Sequence, residues 1–169
     1  MPARSWCGRV AWRLPRCDCG RRRPRRQSCR PTHSSRDRDM PRWTPVFLPA
    51  DVPAPKGPYS PAVRAGDFIY VSGQTPRDPV TGELGGSDVA SQTRSTLGNL
   101  RRVLQQAGAE LEDVVSVTVY LQRSDDWDAM NAVYREVFRG PHPSRTTVGA
   151  DLRGILVEIS AVAYRPSAG

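Results

Sequence analysis

The sequence predicts an α+β domain, a mixed sheet with two helices packed on one of its faces, and three observations lead there. Two segments, near 88–107 and 124–138, repeat apolar residues at helical spacing. Residues 114–121 form a β-branched run between them, and residues 156–164 alternate at the period of a strand. The resulting order is strand, strand, helix, strand, helix, strand, strand, which places two helices over one face of a mixed sheet.

Foldable sequence begins at Met40. Val46, Phe47 and Leu48 suit a short edge strand. Residues 49–58 carry Pro49, Pro53, Pro55 and Pro58 and must be extended or turning, because proline fixes its own φ and biases its predecessor away from the helix. Tyr59 follows on this rigid loop, where its hydroxyl can face a site or its ring can simply pack. Ala62 and Val63, a turn through Ala65, Gly66 and Asp67, and a strand over 68–72 form a hairpin signature. Ser72, Gly73 and Gln74 end that strand, where glycine permits close backbone approach and the Ser72 hydroxyl can bind a ligand. Residues 78–86, with Pro79, Gly82, Gly85 and Gly86, read as a loop.

The first helix starts at Ser87 or Asp88, either of which can cap it. Thr93, Leu97, Leu100, Leu104 and Ala107 make its buried stripe, Arg94, Arg101, Arg102 and Gln105 face water, and Gly108 stops it. The run 114–121 is apolar on both sides and suits a central strand. A second helix starts at Ser124 with Asp125 and Asp126 in its first turn, where the macrodipole favours acids. Trp127, Met130, Tyr134, Val137 and Phe138 supply its apolar side, Asn131 lies one position off it, and Gly140 and Pro141 close it. His142 is a lone loop histidine and receives no role.

At 169 residues the chain has room for about one domain, with 38% hydrophobic residues for its core. The net charge of +8 suggests nucleic acid, but it is unevenly placed. Residues 1–39 hold 12 of the 25 Arg and Lys against three of the 17 acids, leaving +9; residues 40–169 hold the other 13 against 14, leaving −1. The domain therefore offers phosphates no excess of positive charge. All four cysteines, Cys7, Cys17, Cys19 and Cys29, lie in the same Arg- and Pro-rich tail, which lacks apolar periodicity and is expected to be disordered. Their spacing lacks the paired short loops of a zinc site, and the proline-broken arginine runs do not suit a transit helix. Translation starting at Met40 is the favoured expectation. No apolar run approaches the roughly 18 residues of a membrane span, so a cytoplasmic location and no membrane partner are expected.

The segment 141–164 reads as a β-hairpin. In its second arm Val157, Ile159, Ala161 and Ala163 share one face, while Leu156, Glu158, Ser160, Val162 and Tyr164 share the other. With residues 151–154 as the turn, Thr147 falls opposite Glu158, and Arg145 sits diagonally on the same face about 7 to 8 Å away. Arg145 offers a planar fork that grips a carboxylate and cannot lose its proton. Glu158, partly shielded, should have a raised pKa and can pass a proton or orient a water molecule. The pair suits a small acid with a reacting centre beside its carboxylate; the bland alternative is a cross-strand salt bridge. The sheet face without helices has an apolar lining and nothing in the chain to cover it, so a homo-oligomer built on that face is expected, with sites in clefts between subunits.

From about Met40 to Tyr164 the chain resembles the RidA/YjgF-type reactive intermediate deaminases, also known as L-PSP endoribonuclease-like proteins. The matching pieces are GlyProTyrSerProAla at 57–62, SerGlyGln at 72–74, Asn131 with Tyr134, ProSerArgThrThrVal at 143–148 and ValGluIle at 157–159. The resemblance implies a chorismate-mutase-like fold, a homotrimer with three inter-subunit clefts, and hydrolysis of 2-imino acids and their 2-aminoacrylate enamine tautomers to 2-keto acids and ammonia. It thus implies an enzyme of the 2-iminobutanoate/2-iminopropanoate deaminase type, needing no metal and no cofactor, since an imine carbon is already electrophilic. Carried onto these positions, Arg145 binds the substrate carboxylate, Glu158 orients the attacking water, the backbone of Thr147 contacts the imine nitrogen, and Tyr59, Ser72 and Asn131 line the cleft.

Two departures stand out: many members carry Cys where Thr147 stands, and many have two more residues between the Arg and the Glu. The shorter turn bears on register, because a slip of one residue moves a side chain to the opposite face. Rival expectations are a ribonuclease or translation inhibitor of the L-PSP type, which the domain's charge of −1 disfavours, and a non-catalytic metabolite-binding or chaperone-like protein.

Overall fold

The computed structural model describes residues 42–166 apart from Asp51 and Lys56. These belong to the second of two units into which the chain divides, Met1–Arg38 and Asp39–Gly169. The expected tail at 1–39, its four cysteines and the start at Met40 lie outside the described residues.

Six strands and two α-helices make up the described fold: β1 Thr44–Val46, β2 Ala62–Ala65, β3 Phe68–Gln74, α1 Val89–Gln106, β4 Val114–Leu121, α2 Trp127–Val137, β5 Ser144–Gly149 and β6 Val157–Tyr164. The strands form one mixed sheet in the order β1-β2-β3-β6-β4-β5, antiparallel except for the parallel pair β4 and β5. Both helices lie on one face, so the α+β class and the helix placement hold. No helix among the described residues is long and apolar enough to cross a membrane.

Local signals explain most of the elements. Gly66, at φ 59°, turns β2 into β3, a backbone conformation that residues with a Cβ rarely adopt. The Asp88 carboxylate caps α1 by accepting from the Ser91 amide at 2.9 Å, and Gly108 leaves the helix at φ 73°. Along α1, Thr93, Leu97, Leu100 and Leu104 are buried as the stripe requires. They join Ile69, Val117, Val119, Met130, Val133, Val157 and Ile159 in one core between helices and sheet, each large aliphatic side chain worth roughly 1.5–3 kcal/mol on burial. Val133 was absent from the expected apolar side of α2.

Three expectations need correction. The first strand lies at 44–46 rather than 46–48, leaving Phe47 76% exposed. The run 114–121 does sit inside the sheet, but only Val114, Val117, Val119 and Leu121 are buried, while Ser116, Thr118 and Tyr120 are half-exposed on the other face.

The third correction matters most: residues 141–164 are not a hairpin. β4 is inserted between the two expected arms, parallel to β5 on one side and antiparallel to β6 on the other. Residues 122–143, which include α2, provide the long crossover that a parallel pair requires. Alternation along each arm is correct, but it specifies faces and not neighbours. Thr147 therefore faces Val119 rather than Glu158, and Glu158 faces Tyr120.

On the sheet face away from the helices, Phe68 packs on Tyr70 and Tyr164 at centroid distances of 6.5 and 5.2 Å. All three rings remain more than two-fifths exposed.

Candidate active site

The expected site residues separate into two groups on opposite faces of the sheet. Arg145 pairs with Val117 and Glu158 with Tyr120. Val117 and Tyr120 are three residues apart on one strand, so their neighbours' side chains lie on opposite sides. The expectation that Arg145 and Glu158 share a face is overturned, and so is the alternative of a direct salt bridge between them.

Arg145 stands on the helix side, at the edge of the sheet beside α2. Its Nη1 donates to Asn131 Oδ1 at 2.9 Å. Its Cζ lies 4.5 Å from the Tyr134 ring centroid and 5.1 Å from that of Trp127. The residues Trp127, Asn131 and Tyr134 are spaced i, i+4, i+7 and hence form one stripe along α2. Among the described residues Arg145 has no carboxylate partner, so its charge is held by neutral groups. Thr147 follows on the same face with its Oγ1 buried and without a hydrogen-bond partner, as is the Tyr134 hydroxyl. Burial pushes the Tyr134 phenol up, with Arg145 opposing, so it stays neutral. The start of α2 is fixed by Arg123, which grips the buried Asp126 carboxylate with Nε at 3.1 Å and Nη2 at 2.9 Å.

Glu158 stands on the other face, half-buried on β6. Burial raises its pKa above the usual 4.5. The β3–β6 register shifts between Val71 and Gln74, and Gly73 in that irregularity lies against Glu158. A Cβ on Gly73 would collide with the Glu158 carboxylate and lie 3.2 Å from its Cγ. The seat of the carboxylate therefore requires glycine. Beside it, the Ser72 hydroxyl donates to the Ser60 carbonyl at 2.7 Å and the Ser72 amide to the Pro61 carbonyl at 3.0 Å. These bonds tie the loop carrying Tyr59, itself 58% exposed, to the end of β3. The same end of β6 is held by buried Gln92 on α1, whose Oε1 accepts from the Leu156 amide at 2.7 Å.

One chain thus presents a cationic group of Arg145, Asn131 and Thr147, and an acidic group of Glu158 and Ser72 with the Tyr59 loop attached. In the sequence Trp127 reads only as a helix-packing residue, Tyr134 reads as one that also belongs to a family-matching pair with Asn131, and nothing singles out Gln92. Their spacing with Asn131 was visible, but it becomes informative only once β5 is placed next to α2. Gly73 was noted for close approach, without Glu158 as the group approached.

Comparison with known proteins bears on what these groups do. Residues 50–165 match the family model described as Endoribonuclease L-PSP. A RutC family protein of Pyrococcus horikoshii is 43% identical over 122 residues, covering 71% of this chain and 97% of that protein. A mouse protein named 2-iminobutanoate/2-iminopropanoate deaminase is 40% identical over 122 residues, covering 71% of this chain and 90% of its own length. The crystal structure of the YjgF gene product from E. coli superposes with a TM-score of 0.66 at 33% identity, covering 72% of this chain and 98% of that one.

Proposed function

The chain belongs to the Endoribonuclease L-PSP family, that of RidA and YjgF, and on that premise we propose that it hydrolyses small 2-imino acids and their enamine tautomers to 2-keto acids and ammonia. The mouse protein named for this activity supports the reading. The observation that carries it is Arg145, a half-buried guanidinium held by an amide and two rings and, among the described residues, not neutralised by any carboxylate.

In this reading Arg145 binds the substrate carboxylate through its fork. Glu158 orients a water molecule whose oxygen attacks the imine carbon; the C=N pair moves to nitrogen, which takes up a proton. The carbinolamine then collapses. Its hydroxyl proton passes, in net, to the amino nitrogen, the C–N bond breaks, ammonia leaves, and the 2-keto acid remains. The Thr147 backbone contacts the imine nitrogen, Asn131 lines the Arg145 side, and Tyr59 and Ser72 line the Glu158 side.

Since Arg145 and Glu158 lie on opposite faces of one sheet, one substrate can meet both only if Arg145 of one subunit faces Glu158 of another. Each contact then joins the Arg145 patch of one subunit to the Glu158 patch of the next, an arrangement that forms a ring where the rotation between subunits closes. A homotrimer with three clefts is the assembly proposed, and the exposed aromatic face with Phe68, Tyr70 and Tyr164 gives it apolar surface to bury.

The test is the decay of 2-iminopropanoate generated in situ by an amino-acid oxidase. The full chain should accelerate it and Arg145→Ala should abolish the acceleration. Equal rates for wild type, variant and buffer end the reading.

A further inference from the structure

We propose that Trp127 and Tyr134 are positioning residues for Arg145, which together with Asn131 hold its guanidinium as a ready-made receptor for the substrate carboxylate; this rests on the deaminase reading above.

Positions i, i+4 and i+7 of α2 span about 10 Å along the helix at 1.5 Å per residue, enough to lie along an extended arginine. The guanidinium lies within cation–π range of both rings, 4.5 Å from the Tyr134 centroid and 5.1 Å from the Trp127 centroid. Asn131, between them in sequence, accepts one hydrogen bond at 2.9 Å. Arginine carries five N–H donors, and among the described residues the others have no acceptor.

The choice of holders matters as much as their number. A carboxylate would hold Arg145 more tightly but cancel the charge that an anionic substrate needs. Two aromatic faces and an amide oxygen restrict the side chain and leave its charge available. They also limit the rotamer freedom that a long side chain would otherwise lose on binding, and reducing that loss is what preorganisation contributes to affinity.

The two rings differ in environment. Tyr134 is 3% exposed and belongs to the core, so its ring is a fixed floor; Trp127 is 42% exposed and forms the solvent side of the seat. Removal of Trp127 therefore tests the seat with little cost to the core, and the Tyr134 variants provide a second, independent probe.

The experiment compares the full chain with Trp127→Leu, Trp127→Phe, Tyr134→Leu and Tyr134→Phe in two assays. These are steady-state hydrolysis of 2-iminopropanoate and equilibrium binding of pyruvate, which retains the carboxylate and has no imine. Trp127→Leu should raise KM and the pyruvate Kd together by about 3- to 30-fold, the range of a partly desolvated cation–π contact, with kcat changed less than about threefold. Trp127→Phe should recover most of that loss, and Tyr134→Phe should perform better than Tyr134→Leu in both assays. If wild type is active and Trp127→Leu keeps its KM and Kd, or if Phe is no better than Leu at both positions, the inference is overturned and the deaminase reading stands. If wild type neither hydrolyses the imine nor binds pyruvate, the reading falls and takes the inference with it.

Discussion

Arg145 and Glu158 belong to neighbouring segments of the chain yet face away from each other across β4, and this separation makes a quantitative test by subunit mixing possible. Arg145→Ala removes the carboxylate receptor and leaves the Glu158 group intact; Glu158→Gln does the reverse. If each site takes Arg145 from one subunit and Glu158 from the next, either variant alone has every site broken. In a random one-to-one mixture a site is intact when its Arg145 comes from a Glu158→Gln subunit and its Glu158 from an Arg145→Ala subunit, so about one quarter of sites recover whatever the ring size. Among assemblies purified through two different tags, one on each variant, the intact share rises to about one third for a three-membered ring and about one half for a dimer. The assay is 2-iminopropanoate hydrolysis after co-expression, against the two variants expressed separately and mixed without exchange. Recovery near one third would support both the shared site and the trimer. No recovery in assemblies shown to contain both tags would refute a site divided between subunits.

Four further outcomes are expected. Gly73→Ala should fold, because the group its Cβ would strike is the flexible end of Glu158, but displacement of that carboxylate should lower kcat/KM by about 10-fold or more, part of the roughly 100- to 10,000-fold attributed to a general acid–base group; thermal melting alongside the kinetics separates the two effects. The acid limb of the kcat/KM profile should lie above the usual 4.5 of a glutamic acid, since burial raises the Glu158 pKa and the water-orienting form is ionised. The same shift has a sign for stability: the folded chain holds this proton more tightly, so the contribution is full below pH 4.5 and is lost as pH rises through the higher folded value, and Glu158→Gln should flatten stability against pH across that window. Ile159→Ala, at a fully buried position in the central strand β6, should cost about 2–5 kcal/mol in denaturant titration, and a loss under 1 kcal/mol would contradict the packing described.

Signals that act within a few residues were legible in the sequence. The Asp88 cap, the stripe from Thr93 to Leu104 and the Gly108 stop define α1 by chemistry contained in the helix itself. Gly66 likewise sets the β2–β3 turn. The neighbour of β5 was not legible, because a period of two tells which residues of a strand share a face and is silent on the strand beside it. Both β5 with β6 and β5 with β4 keep every alternation intact. The clue that favoured the second was the helix between residues 121 and 144, since strands separated by a helix tend to pair in parallel. The same step concealed the seat of Arg145: Trp127 and Tyr134 read as core residues until β5 was known to run beside α2.

The separation also bears on why the two charged groups can serve one small acid. Had Arg145 and Glu158 faced each other across a hairpin, the guanidinium would have lowered the Glu158 pKa and spent its own charge on it. A neutral pair attracts an incoming carboxylate weakly. As folded, the guanidinium rests on Asn131, Trp127 and Tyr134, and Glu158 is shifted upward by burial alone. Each group thus keeps the property the proposed chemistry needs, an uncancelled positive charge on one side and a more basic carboxylate on the other. The proposed assembly would bring them to one substrate without pairing them in the chain. Exchanging Asn131 for Asp tests this directly: a carboxylate 2.9 Å from Nη1 would grip Arg145 more firmly while cancelling its charge. Asn131→Asp should therefore raise KM for 2-iminopropanoate even as it fixes the arginine, and a lowered KM would mean that rigidity alone, and not retained charge, is what the seat provides.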